Sequence, residues 1–199
     1  ASIASVGGAI RAGTGSGNGN TLRVYDSVFC SNTASGAQNH SGAVDVKSHT
    51  DGTNIFLRCV FEGNTTDSNS GNGGAARTGN GHSEFYECRF VGNVAQGQGG
   101  ALSFATPGRH RVKNCAFARN KSLYAGIGAG GGGAIHVLAT GVTSTNTLAL
   151  VENCSFYTNS GPSAKQGGAL FVDQGIASVT NSIFWGNTAG LGQACYISV

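Results

Sequence analysis

Short runs of alternating apolar and polar residues recur along the whole chain, bounded by Gly, Asn, Ser and Thr. In one kind of run, which follows a Gly-Ala pair, the residue after the alanine and the residue two positions later are apolar in most copies, as Ile135 and Val137 are. A period of two is typical of a β-strand with one buried face. The pattern predicts many short strands, and no stretch shows the periodicity of an amphipathic helix.

Two sequence motifs alternate along the chain. The Gly-Ala motif is centred on Ala9, Ala43, Ala75, Ala101, Ala134, Ala169 and, in a degenerate copy, Ala194. The second motif is Phe-x-x-Asn, at Phe29–Asn32, Phe61–Asn64, Phe90–Asn93, Phe117–Asn120, Phe156–Asn159 and Phe184–Asn187. Two motifs that alternate at one period indicate a solenoid.

Equivalent alanines lie 25 to 35 residues apart, so the motifs are fixed while the segments between them vary in length. Strands joined by loops tolerate such variation better than helical repeats do. We therefore predict an all-β fold, a right-handed parallel β-helix of about seven coils with variable loops, the hand following the rule for parallel crossovers. Residues 1–199 are expected to form a single β-helix domain, which is a processed product or an excerpt of a longer chain because Ala1 is not an initiator Met.

Stacking of the coils, about 4.8 Å apart, would turn each motif position into a row along the helix axis. The phenylalanines would form an aromatic row, namely Phe29, Phe61, Phe90, Phe117, Phe156 and Phe184. The asparagines would form a hydrogen-bonded ladder at a turn, where we expect Asn because it tolerates left-handed backbone: Asn32, Asn64, Asn93, Asn120, Asn159 and Asn187.

Two further rows are predicted to face outward. One lies in the Gly-Ala strand and consists of Arg11, Asp45, Arg77, Ser103, His136, Phe171 and Tyr196. The other, three residues before each motif phenylalanine, consists of Asp26, Arg58, Glu87, Asn114, Asn153 and Asn181. Both rows begin with charges of alternating sign, which would help to fix the register of the coils.

Four of the six cysteines occupy one inward row, at Cys59, Cys88, Cys115 and Cys154. Their spacing allows a ladder of buried thiols, or disulfides between adjacent pairs. Cys30 and Cys195 lie near opposite ends of the repeats, and each is a candidate for an intermolecular disulfide.

Composition limits the classes of function. Charged residues make up 11% of the chain and the net charge is +3, which gives no electrostatic case for nucleic-acid binding. No stretch approaches the roughly 18 apolar residues of a transmembrane segment. Low charge, abundant Ser, Thr, Asn and Gly and several cysteines favour a secreted or cell-surface location. Asn-x-Ser/Thr triplets make the loop residue Asn39 and the outward Asn153 candidate glycosylation sites.

The chemistry of a catalytic or metal site is hard to find in the sequence. The nine acids include no Asp-Asp or Asp-x-Asp pair, whereas glycoside hydrolysis and calcium binding need clustered carboxylates. The five histidines show no catalytic-triad spacing. We therefore expect no catalytic residue, no cofactor and no metal site. Arg109, His110, Arg111 and Lys113 form the one basic cluster, which we interpret as a solvated turn, with a phosphate- or sulfate-binding patch as the alternative.

The alternation of Gly-Gly-Ala-Ile/Leu/Val with Phe-x-x-Asn resembles the passenger repeats of the polymorphic membrane proteins, which are chlamydial autotransporter adhesins. Segments such as 181–189 also resemble bacterial secreted right-handed parallel β-helix repeat proteins. The resemblance covers nearly the whole chain and implies surface display, adhesion or assembly.

These observations lead to one expected function and one alternative. We expect a non-catalytic extracellular structural or adhesive β-helix, a surface stalk or filament subunit that assembles by end-to-end coil stacking, because no polar cap is evident at either end of the repeats. Its partners would be further copies of itself, laterally or end to end, and host or environmental glycans or surface receptors. The alternative is a polysaccharide-binding or polysaccharide-degrading (lyase or hydrolase) β-helix protein.

Overall fold

The chain folds as a parallel β-helix. The structure, a computed structural model, describes residues 3–4, 8–13, 21–35, 41–47, 52–69, 71–79, 81–105, 108–126, 130–139, 147–163 and 166–198. Within these ranges it contains 24 short strands and no helix. The strands stack in register into four parallel sheets that run along the helix axis. This arrangement confirms the predicted fold class.

Two of the sheets carry the sequence motifs and are called the Gly-Ala sheet and the Phe sheet. The Gly-Ala sheet has seven strands: β2 (Ile10–Ala12), β6 (Val44–Lys47), β10 (Ala76–Gly79), β14 (Leu102–Ala105), β18 (Ile135–Leu138), β21 (Leu170–Asp173) and β24 (Cys195–Ser198). The Phe sheet has six: β4 (Val28–Cys30), β8 (Val60–Glu62), β12 (Arg89–Val91), β16 (Ala116–Ala118), β20 (Ser155–Tyr157) and β23 (Ile183–Trp185).

Two other sheets complete each coil. The lateral sheet precedes the Phe sheet in every coil and consists of β3 (Arg23–Tyr25), β7 (Thr53–Leu57), β11 (His82–Tyr86), β15 (Gly108–Lys113), β19 (Thr147–Glu152) and β22 (Ile176–Thr180). The short sheet follows the Phe sheet and consists of β1 (Ile3–Ala4), β5 (Thr33–Ala34), β9 (Thr65–Thr66), β13 (Val94–Ala95) and β17 (Lys121–Ser122). The short sheet has the fewest strands, and the stack has about five turns, against the seven coils expected from the Gly-Ala copies.

The core between the sheets contains a column of phenylalanines, one from each coil. Phe61, Phe90 and Phe117 pair with one another in register, and their rings stack nearly parallel with centroids 4.6–4.9 Å apart. A second aromatic stack from the lateral sheet, Phe56 on Phe85, meets this one edge to face. Offset and edge-to-face rings add stabilisation beyond the apolar area that they bury.

The two glycines of the Gly-Ala motif are required for different structural reasons. A Cβ at Gly100, the second glycine of its motif, would overlap the carbonyl oxygen of Gly133 in the next coil. The first glycine, Gly99, has φ +70° and begins the turn into the strand. Close backbone approach and left-handed backbone both favour glycine, so the repeat keeps both positions.

The expectation that the motif asparagines adopt left-handed backbone is wrong. The left-handed residue is the one before each asparagine, for example Arg119 with φ +55° and Gly92 with φ +61°. A second left-handed position joins the lateral sheet to the Phe sheet in every coil. It is occupied by the charged and Asn row predicted above, with φ between +46° and +56° at Asp26, Arg58, Glu87, Asn114, Asn153 and Asn181.

The outer row of the Gly-Ala sheet is mostly buried. In-register pairing places Asp45, Ser103, His136 and Phe171 in one row, opposite the core-facing row, yet each is at most 1% exposed. The glycine turns before the strands lie close to this face, since a Cβ at Gly167 would approach the Cβ of Phe171. Phe171 is therefore not an exposed surface on which a sugar ring could stack.

Candidate functional site

A pocket of about 290 Å³ lies on the outer face of the lateral sheet, across four strands. It is lined by Thr53, His82, Glu84, Arg109, His110, Arg111, Leu148 and Leu150. All four strands are paired on both sides, so the pocket has a continuous, fully hydrogen-bonded sheet beneath it. This volume is at the lower end of the range typical of small-molecule sites.

The strand β15 supplies the pocket's basic side chains. Its burial alternates, with His110 and Val112 buried and Arg109 and Arg111 directed to the outer face. The interpretation of this basic cluster as a solvated turn is therefore wrong. The segment alternates between buried and outward residues, as a strand does. The alternation is hard to recognise in the sequence because one of the buried residues, His110, is polar.

Buried His110 lies beneath the pocket with its ring stacked on Phe104, at a centroid distance of 4.4 Å. Neither ring nitrogen has a hydrogen-bond partner among the described residues. Burial, and to a lesser extent the nearby His82, lower the pKa of His110 to about 3. His110 is thus a neutral core residue at ordinary pH.

His82 and Arg109 are connected through the backbone. The amide N–H of Arg109 donates to Nδ1 of His82 at 3.0 Å. Since Nδ1 accepts, the neutral imidazole carries its proton on Nε2 and can donate from there. In the described part of the chain, Arg109 forms no ion pair with any carboxylate.

Arg111 lies between Glu84 and Leu150 in register. A hydrogen bond between its guanidinium and Tyr86 raises the pKa of Arg111. Its Nε is buried and has no hydrogen-bond partner within the described ranges. The pocket therefore combines two guanidinium groups and one carboxylate with a hydroxyl, an imidazole N–H and two leucine side chains.

The motif asparagines form one continuous ladder at the turn. The backbone N–H and Nδ2 of Asn64 both donate to Oδ1 of Asn93, at 3.0 and 2.9 Å, and Nδ2 also donates to the carbonyl of Phe29 at 2.9 Å. The same bonds recur from Asn32 through Asn187. The bonds between asparagines thus all run one way, from each asparagine to Oδ1 of the next toward the carboxyl-terminal end, while Nδ2 also donates back to the Phe carbonyl of the preceding coil.

The inward cysteines form a column of thiols. Cys59, Cys88, Cys115 and Cys154 are buried free thiols in this structure. Their Sγ atoms contact carbonyl oxygens of the preceding strand, as Cys88 does with Tyr86 at 3.2 Å, and burial raises the pKa of Cys115. The arrangement suits small core residues better than reactive thiols.

The other two cysteines lie far apart. Cys30 is exposed on the outer face of the Phe sheet in the first coil, and Cys195 is in the core-facing row of the Gly-Ala sheet in the last coil. They belong to different sheets, so stacking two copies in register does not bring one onto the other.

The two glycosylation candidates differ in what the structure describes. Asn153 is exposed, and its Nδ2 donates to Oδ1 of Asn114 at 3.2 Å. Asn39 lies outside the described residues.

Three carboxylates form separate ion pairs in the described part of the chain. Arg58 makes a two-bond contact with Asp26, at 2.6 and 2.8 Å, and this hydrogen bonding lowers the pKa of Asp26. Arg77 lies 3.3 Å from the buried Asp45, and Lys113 lies 3.8 Å from Glu152. In the described ranges, no three His, Cys, Asp or Glu side chains are grouped to hold a metal ion.

Comparison with known protein families, with curated proteins and with solved structures found no significant match for this chain. The parallel β-helix of stacked repeats is consistent with β-helix repeat proteins as a fold class. Among the described residues there is no helix that could span a membrane.

The last coil forms a second candidate surface. Its core-facing side chains are open, with Val179 38% and Ile197 57% exposed, whereas their counterparts Val151 and Val172 in the preceding coil are fully buried. Trp185 stacks on Tyr157 at 4.7 Å and is 61% exposed. At the other end, Ile10, Ala12 and Val24 are partly buried against the core. The sequence singled out the basic residues of the pocket, Arg109, His110 and Arg111, but not the pocket itself, whose other residues lie on neighbouring strands.

Proposed function

We propose that this protein is a non-catalytic structural and adhesive β-helix, secreted or displayed at a cell surface, whose copies stack end to end into a stalk or filament. The observation that carries this proposal is the direction of the asparagine ladder. Among the described residues, the backbone N–H of Asn187 has no acceptor and Oδ1 of Asn32 has no donor. A second copy stacked head to tail would place these complementary groups together and continue the ladder.

The side chains at the two ends also match in such a stack. Continuing the register places Val179 over Val24 and Phe184 over Phe29, which repeats the pairing inside the molecule. In this register β2 of the second copy falls at the level that β24 already occupies, because the Gly-Ala sheet has one strand more than the lateral and Phe sheets, so one of these two terminal strands is displaced at the junction. The junction would therefore bury apolar side chains that are exposed in a single copy.

The symmetry of this contact favours an open assembly. The two surfaces that meet are different ends of the molecule, so the contact is heterologous. A heterologous contact whose rotation does not close produces a filament, and stacking by translation along the helix axis does not close. The unpaired edges of β22 and β23 supply the backbone groups for the same contact.

The distribution of acids supports a role without catalysis. Glu84 is the one carboxylate among the pocket residues, whereas glycosidases use a pair of carboxyl groups about 5–9.5 Å apart. The resemblance of the repeats to polymorphic membrane protein passengers supports surface display and adhesion. The low charge and the Gly, Asn and Ser content support export.

Sedimentation velocity over a range of protein concentrations tests the stacking. Wild type is expected to associate progressively. The substitution Ile197→Asp adds a charge to the open core-facing row, and because Ile197 is already 57% exposed it should leave the fold of the single copy intact. This variant should remain monomeric at concentrations where wild type has associated.

Ile183→Asp is the matched control, because Ile183 is also highly exposed but lies on the outer face of the Phe sheet, in β23. It should associate as wild type does. A wild-type chain that stays monomeric at millimolar concentration contradicts stacking and indicates that something else covers the last coil. Equal loss of association in both variants would place the contact on the outer face instead.

The alternative function, polysaccharide binding or degradation, has one observation in its favour, which is the pocket on the lateral sheet. Degradation is the weaker part of this alternative, since it needs a second carboxyl group close to Glu84.

A further inference from the structure

We propose that the pocket on the lateral sheet binds one acidic sugar residue of a glycan, with the anionic group at Arg109. The proposal goes beyond end-to-end stacking and does not depend on it, because the pocket lies on the side of the middle coils. It can therefore be tested on single copies, and its failure would leave the stacking proposal untouched.

The hydrogen-bond donors of Arg109 and His82 indicate where the anionic group of the ligand binds. Arg109 is exposed and has no carboxylate partner in the described residues. His82 offers Nε2–H beside it, because its Nδ1 is occupied by the Arg109 amide. A guanidinium group binds a carboxylate or sulfate through paired hydrogen bonds, and the imidazole adds a third donor. These groups form the anion-binding half of the pocket.

The other residues of the pocket suit the hydroxyl groups and the apolar ring face of a sugar. Glu84 accepts hydrogen bonds, and Thr53 can both donate and accept, which are the needs of sugar hydroxyls. Arg111 also lines the pocket and adds a second guanidinium group to its wall. Leu148 and Leu150 supply apolar surface on the opposite side. An acidic sugar carries all three features on one ring.

A peptide fits this location less well. Extended peptides commonly bind a sheet by adding a strand at an edge. The pocket lies on the face of β7, β11, β15 and β19, and each of these strands is already paired on both sides. Binding there depends on side chains alone, as it does in a shallow saccharide site.

Isothermal titration calorimetry with defined oligosaccharides tests the assignment at two salt concentrations. The probes are an oligogalacturonate, a sulfated heparin-derived hexasaccharide, neutral cellohexaose and a hexaglutamate peptide. We expect one of the acidic saccharides to bind and cellohexaose to bind at least tenfold more weakly. The tighter of the two acidic probes identifies the anion as carboxylate or sulfate.

Arg109→Gln and Arg89→Gln are the matched variants. Arg109 is exposed and contacts His82 through its backbone, so its side chain can be changed without loss of the fold. Arg109→Gln should weaken binding about 10- to 100-fold, the typical effect of losing hydrogen bonds to a charged group. Arg89 is exposed on the Phe sheet, and Arg89→Gln should change the dissociation constant by less than about twofold.

Three results would overturn the proposal. Absence of binding by both acidic saccharides at millimolar concentration contradicts a glycan site. Equal weakening by Arg109→Gln and Arg89→Gln indicates general electrostatic attraction by the basic side chains. Binding of hexaglutamate as tight as that of the better saccharide, with the same dependence on Arg109, assigns the pocket to acidic peptides instead.

Discussion

At the residue scale, each motif asparagine performs several hydrogen-bonding roles with one side chain. Asn93 is fully buried, its Nδ2 donates to the carbonyl of Phe61 and to Oδ1 of Asn120, and its Oδ1 accepts from Asn64. No other uncharged side chain except glutamine has both groups. The backbone conformation does not require asparagine here, since the left-handed residue precedes it.

Replacing Asn93 with alanine should destabilise the protein by about 3 kcal/mol or more. The substitution removes the acceptor of the buried Asn64 backbone N–H and one donor to the Phe61 carbonyl, and a buried polar group left without a partner costs about 1–3 kcal/mol. Urea unfolding monitored by circular dichroism measures the change. Ser155→Ala, at an exposed position of β20, should stay within about 0.5 kcal/mol of wild type. Similar small losses for both variants would contradict the structural role of the ladder.

The two buried histidines predict a dependence of stability on pH. Burial is the main cause that lowers the pKa of His110 and of His136 to about 3, while the unfolded chain protonates histidine near pH 6.5. Between these values the unfolded state binds more protons than the folded state. Stability is therefore complete above about pH 6.5 and decreases as pH falls, by about 1.4 kcal/mol per pH unit for each histidine.

Unfolding free energies measured from pH 7 to pH 5 check this slope while most carboxylates stay ionised. His136→Phe is the informative variant, because Phe171 occupies the equivalent position in the next coil. It should remove about half of the slope. A stability that is constant or rises on acidification over this range would show that the histidines are not buried in the neutral form.

At the element scale, the turn between the lateral sheet and the Phe sheet has one unusual residue in every coil. Its φ is positive in six coils although no glycine occurs there. Left-handed backbone costs most L-residues about 1–2 kcal/mol, and Asn less than most. The later coils use Asn114, Asn153 and Asn181, whereas the earlier coils use charged residues.

Glu87→Asn should therefore stabilise the protein by about 0.5–1 kcal/mol. The new side chain would relieve the backbone cost and lie next to Asn114, which already accepts a hydrogen bond from Asn153. The midpoint of urea unfolding measures the gain. Glu62→Asn is the matched control, because it makes the same Glu-to-Asn change at an exposed residue of the strand β8. It should not increase the stability of the protein. A destabilised Glu87→Asn variant would contradict the account of this turn.

The sequence was enough to predict which residues share a row, but not whether the outer rows are covered by turns or where a pocket forms. Alternation and the fixed motifs were enough to place Phe90 in an inward row of the β-helix, because a strand has only two faces. They could not show that His136 is buried, since the turn over the outer face depends on segments of varying length. The pocket was hidden for a related reason. His82, Arg109 and Leu148 lie in loop-flanked strands outside both motifs, and their register follows from the assembled coils.

At the scale of the whole molecule, the same pairing that joins one coil to the next can join one copy to another. Both ends present the row pattern of an interior coil, and the asparagine ladder has a free donor at one end and a free acceptor at the other among the described residues. The ladder also has a direction, so head-to-tail contact is favoured over contact between two like ends. Lateral glycan binding would remain available along such a filament, because the pocket faces away from the axis.

Electron microscopy of the wild-type protein at physiological salt, compared with Ile197→Asp, tests the stacking most directly. We predict straight, unbranched filaments of wild type with an axial repeat of about 30 Å per copy or a multiple of it, since coils are spaced about 4.8 Å apart, and isolated short rods for the variant. Short isolated rods of wild type at high concentration, or filaments that persist unchanged in Ile197→Asp, would contradict end-to-end stacking through the open coil.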